Sequence, residues 1–194
     1  MKKLLTAPLI VCSICVFAQR QSILPVNAKS VKPEIATVMA DYYDQFLNIK
    51  GDTISETKSA VEFQSKVIPE GALRCSITEI KSLYKVCSWQ AVMYSSEDFQ
   101  NAVEKYRRYF IQLNGASFMM EDHHPYRFKG VYDIPAETRA FASSILEPEV
   151  QQAALQKVKI EVALNYGMPD WTVSIYIYSK ENDADIRPTE KTDQ

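Results

Sequence analysis

Histidine, glycine and cysteine are scarce in this chain of 194 residues, which has two histidines, five glycines and four cysteines. Both histidines are adjacent, at His123 and His124, so no other imidazole remains to activate a serine or cysteine. No G-x-S-x-G elbow occurs either. The glycines form neither a G-x-G-x-x-G fingerprint nor a P-loop, and no cofactor is expected. Basic excess is also missing. Lys and Arg number 22 against 24 Asp and Glu, for a net charge of −2. A mildly acidic chain without a basic stripe excludes nucleic acid and anionic membrane surfaces as expected partners. After Ala18 no apolar run approaches the ~20 residues that span a bilayer, so no membrane span is expected in the mature chain.

What is present begins at the N-terminus. Lys2 and Lys3 precede a short apolar stretch from Leu4 to Phe17, closed by Ala18. This is the pattern of a secretory signal peptide over residues 1–18. Export to the periplasm or the extracellular space follows. Val11 before Cys12 and Ile14 before Cys15 do not suit lipid attachment, which wants a small residue there. Cleavage would remove two lysines and 18 of 194 residues, leaving 176 residues at net charge −4, enough for a real core.

Cleavage would also leave Cys75 and Cys87 as the two remaining cysteines. An even count in an oxidising compartment predicts a disulfide. Residues 72–80 and 85–94 read as two strands, with the residues between them as a turn. A hairpin centred on position 81 would set Cys75 opposite Cys87, where Cβ atoms lie about 4.5–5.5 Å apart.

The remaining elements follow from periodicity. Residues 19–30 read as an extended leader. Ile35, Val38, Met39, Tyr42, Phe46 and Ile49 recur at helical spacing, with Pro33 near the start and Gly51-Asp52 as the stop. The polar residues 51–59 then read as a loop, and 59–68 as a strand. A second helix is predicted over about 96–114. Ser95 and Ser96 offer its cap, with Asp98 three residues after Ser95 close to a capping-box arrangement, and Asn114-Gly115 its end. Five strands follow, over 116–121, 127–134, 138–147, 157–166 and 171–179, with 148–156 as a short helical link. Residues 180–194 are almost wholly polar and read as a flexible charged tail. The fold class is α+β: one domain over 31–179, an antiparallel sheet packed by two helices. Its layout suggests two similar α-β-β-β halves, 31–94 and 95–179.

Two constellations are candidates for chemistry. In the last strand Trp171, Val173, Ile175 and Ile177 alternate with Thr172, Ser174, Tyr176 and Tyr178. The strand over 85–94 alternates likewise, with Tyr94 on its polar side. Helices over one face would leave a second face rich in Tyr, Ser, Thr and Gln. Tyrosine offers contact area with a polar tip, which suits a ligand or a subunit. The plain alternative is a half-wet sheet face where tyrosine serves β-propensity. Tyr94, Tyr176, Tyr178 and Trp171 are the candidate ligand-binding residues. Glu121, His123 and His124 carry metal-binding side chains and are the first candidates if a metal binds, although a polar exposed turn is the plainer reading of them.

The leading expectation is a secreted or periplasmic non-catalytic binding domain for a protein or glycan ligand. One alternative is a cell-envelope assembly protein that self-associates into a homo-oligomer through the same face. Another is a carboxylate- or metal-dependent hydrolase.

Overall fold

The computed structural model describes residues 29–81, 86–120, 123–150 and 153–180. The predicted signal peptide, the leader up to residue 28, residues 82–85, Glu121 and the tail beyond residue 180 lie outside the described residues. Among the described residues nine strands form one antiparallel sheet: β1 (Lys50–Glu56), β2 (Ala60–Ser65), β3 (Arg74–Ile80), β4 (Val86–Ser96), β5 (Ser117–Met119), β6 (Pro125–Gly130), β7 (Phe141–Pro148), β8 (Val158–Gly167) and β9 (Asp170–Ser179). Their spatial order is β1-β2-β3-β4-β9-β8-β7-β6-β5. Two principal helices, α1 (Lys32–Ala40) and α2 (Phe99–Leu113), accompany them, and α3 (Ala153–Gln156) is the short link before β8. The α+β architecture read from the sequence is therefore the architecture of the chain.

Burial follows the period of two. In β4 Cys87, Trp89, Ala91 and Met93 are buried, and in β9 Trp171, Val173, Ile175 and Ile177 are buried. Side chains from all three helices, including Ile35, Tyr106 and Leu155, join these in one apolar cluster. The helices thus cover a single face of the sheet. The long α2 lies over β4, β8 and β9. Its start is fixed by Asp98, whose carboxylate accepts the Asn101 N–H at 3.0 Å. Ser95 and Ser96 remain in β4, and Ser96 Oγ accepts the Asp98 N–H. At the other end Gly115 takes a φ of +77°, which stops the helix as the sequence predicts.

Three expectations need correction. First, α1 ends at Ala40, not near Gly51. Asp41 captures the backbone N–H groups of Asn48 and Ile49 at 3.0 and 3.2 Å, and so folds residues 41–49 into turns. A short acid that satisfies nearby backbone offers an alternative to continuing a helix. Phe46 and Ile49 are still buried, now from turns, so the apolar stripe misstates the helix length. Second, the loop predicted over 51–59 is largely the edge strand β1. Most of its residues are exposed, so it carries no alternating pattern to read. The first half therefore has four strands and the second five. The first half's helix α1 lies against β5 of the second.

The third correction concerns the disulfide. The β3–β4 ladder pairs Ile80 with Val86, Glu79 with Cys87 and Cys75 with Ala91. Its centre is two positions later than position 81, which separates the cysteines by four ladder positions. That is roughly 13 Å along the strands, beyond the ~7 Å limit for a bridge. Both cysteines are buried, and no bridge joins them. Burial pushes the Cys75 thiol up to about 11, where it is protonated and unreactive at neutral pH.

Candidate functional site on the open sheet face

Strands β4, β9 and β8 form the middle of the sheet, and their outward positions align across the ladders. Tyr176 lies opposite Gln90 on one side and Glu161 on the other. Tyr178 lies opposite Ser88 and Lys159. The two tyrosines are two residues apart on one strand, so their rings project from the same face about 6.6 Å apart at the base.

Hydrogen bonds hold this row in place. Gln90 Nε2 donates to Tyr176 Oη at 3.1 Å. Tyr178 Oη donates to Glu161 Oε2 at 2.9 Å, and Ser143 Oγ of β7 donates to Glu161 Oε1 at 2.5 Å. Burial, and then the bond to the Glu161 carboxylate, push the Tyr178 phenol well above its ordinary range. Tyr178 is thus a donor at any physiological pH. Around these groups runs a trough of about 470 Å³, with Tyr176, Tyr178, Glu161, Ser88 and Asn165 in its lining. Ile80 at one side and Phe141 at the other add apolar walls, and both are exposed.

The structure brings together two of the four predicted ligand residues. Tyr176 and Tyr178 share the trough. Tyr94 does not reach it, because a register slip between Val92 and Tyr94 sets Tyr94 opposite Val173. Its ring lies under Lys105 of α2, with Nζ 5.4 Å from the ring centroid. Trp171 is buried on the helix side, 4.8 Å from the Phe99 ring and 4.9 Å from the Tyr166 ring between centroids.

No match is found among protein-family models, curated proteins or solved structures. The site therefore has to be read from its own chemistry.

His123 and His124 are exposed, at a turn where the His123 N–H bonds to the Met120 carbonyl. Their suspected partner Glu121 lies outside the described residues. Among the described residues no three His, Cys, Asp or Glu side chains gather to hold a metal.

Sequence reasoning missed Glu161, Ser143, Asn165 and Phe141. Glu161 had a readable signal, as an acid inside the otherwise apolar run Ile160–Leu164. Its meaning depends on the register of β8 against β7 and β9, which brings Ser143 and Tyr178 to it. A second polar knot on the helix side is structural. Tyr106 Oη lies 2.6 Å from Ser144 Oγ, which accepts the Asp133 N–H at 2.9 Å. Arg139 donates to the Asp133 carboxylate at 2.5 Å and holds it below the usual carboxylate range.

Proposed function

We propose that the protein is an exported, non-catalytic binding domain, and that its ligand seat is the open sheet face around Tyr176 and Tyr178. One observation carries the reading. Two half-buried tyrosines, each fixed by a hydrogen bond, line a trough on the face that the described helices leave free. Pre-positioned aromatic side chains with polar tips give contact area at low entropic cost. The volume lies within the ~300–1,000 Å³ range of ligand sites. Export rests on the pattern of residues 1–18 and places the ligand in the periplasm or outside the cell.

The test is a thermal-shift screen of the exported protein against saccharides, peptides and small metabolites. The expected result is stabilisation by at least one compound that disappears in the Tyr176→Ala/Tyr178→Ala double variant. Circular dichroism should show that the variant keeps its fold. Loss of the fold would mean that these rings are core and would end the reading.

The assembly alternative draws support from Ile80 and Phe141, exposed at 46% and 51% on the walls of the trough. Sedimentation of the wild type and of Phe141→Ser decides it: a dimer that the variant dissolves would make the face a subunit interface.

A further inference from the structure

The trough's inventory of charge and hydrogen-bonding groups narrows the ligand class, an inference that rests on the binding-face reading. Among the described residues its lining holds one acid, Glu161, and no basic side chain. The nearest candidate base on that strand, Lys159, is engaged elsewhere, with Glu147 at 2.8 Å and the Gln156 carbonyl at 2.5 Å. A phosphate, sulfate or carboxylate ligand would therefore meet repulsion without a cation to offset it. The ligand has to present donors to Glu161. Each carboxylate has about four lone-pair sites, and Ser143 and Tyr178 use two of them. Tyr176 Oη already accepts from Gln90, which leaves its own O–H to donate. Ser88 and Asn165 each combine donor and acceptor atoms.

Groups that both give and take hydrogen bonds match hydroxyls, which do the same. The aromatic geometry separates a polyol from an organic cation. A cation site wraps rings around the charge. Here the two tyrosines stand side by side along one strand, with Phe141 on β7 also in the lining. Such a row suits a flat ring whose C–H face packs on an aromatic ring while its hydroxyl edge reaches the polar groups.

We propose that the trough binds a neutral saccharide, with Tyr176 and Tyr178 as its stacking residues and Glu161, Asn165 and Ser88 as its hydroxyl partners. The sugar's hydroxyls complete the acceptor sites that Ser143 and Tyr178 leave open on Glu161.

The experiment probes the full chain, expressed with its own N-terminal segment and labelled after export. The probes are an array of neutral, sialylated and sulfated oligosaccharides and a parallel array of quaternary-ammonium compounds and peptides. Neutral saccharides should bind and their acidic counterparts should not. Tyr176→Ala should weaken the neutral interaction about tenfold, and Glu161→Gln by a similar factor. Tyr176→Phe, which keeps the ring, should retain most of it. Tyr176-dependent binding of peptides or ammonium compounds alone would overturn the saccharide assignment and leave the binding face standing. Binding confined to acidic saccharides, or neutral binding indifferent to Tyr176, would also overturn it. No Tyr176-dependent binding on either array would remove both readings together.

Discussion

At the scale of single residues, several side chains owe their roles to partners far along the chain. Trp89 is legible as a core residue from its alternation in β4. The acceptor for its indole N–H is not, because Ser65 Oγ, at 3.0 Å, comes from β2, 24 residues away. Tyr178 shows the same dependence. Its outward position follows from the period of two, but its bond to Glu161 requires β8 beside β9. The cysteines carry a prediction at this scale. With four ladder positions between them, no bridge links Cys75 to Cys87 in the folded chain. The melting temperature should therefore be the same with and without reductant. A thiol reagent should reach the two buried groups only as the protein unfolds. A drop in melting temperature on adding reductant would reveal a bridge and a different hairpin register.

At the scale of elements, what was readable depended on how much of each element is buried. Strand β9 and helix α2 are amphipathic, and their patterns place both correctly. Edge strand β1 is exposed along most of its length, so only pairing with β2 identifies it. Gly130 is a feature of pairing alone. A Cβ built there would lie 1.9 Å from the Ile145 carbonyl oxygen, so the β6–β7 ladder closes only around a glycine. Gly130→Ala should lower stability by more than about 2 kcal/mol in urea denaturation, because the ladder must shift to admit the methyl group. Gly167→Ala is the matched control. Nothing lies within 4 Å of its added Cβ, and it should change stability by less than about 0.5 kcal/mol. Equal effects at both positions would show that the β6–β7 approach is looser than described.

At the scale of the whole molecule, the sheet is continuous through the β4–β9 seam, and α1 lies against a strand of the other half. The two halves therefore share one core. That core includes or borders several phenols whose acidity burial suppresses. Tyr106 is pushed up to about 12, chiefly by burial, and burial also raises Tyr109 and Tyr132. A phenol with a higher pKa in the folded state than in the unfolded state stabilises fully below its ordinary value near 10. That contribution disappears as the pH rises toward 12. Urea midpoints should thus hold up to about pH 9 and fall steeply by about pH 11. Tyr106→Phe should make the fall shallower, whatever its effect at neutral pH. An unchanged alkaline slope in that variant would show that Tyr106 does not titrate with unfolding.

By itself the sequence determined the α+β class, most strand and helix positions, and which side of β9 faces the core. These follow from periods of two and 3.6, which are local properties of the backbone. It also determined that Tyr176 and Tyr178 share a face. The tertiary structure decided the rest. Asp41 folding back on Asn48 and Ile49 ended the first helix early. A two-position shift in the hairpin centre separated the cysteines, and a register slip turned Tyr94 toward α2. The meeting of β8 with β9 placed Glu161 under Tyr178. Apart from the Asp41 turn, each of these depends on which residues lie opposite one another across strands, a register that the local periods leave open.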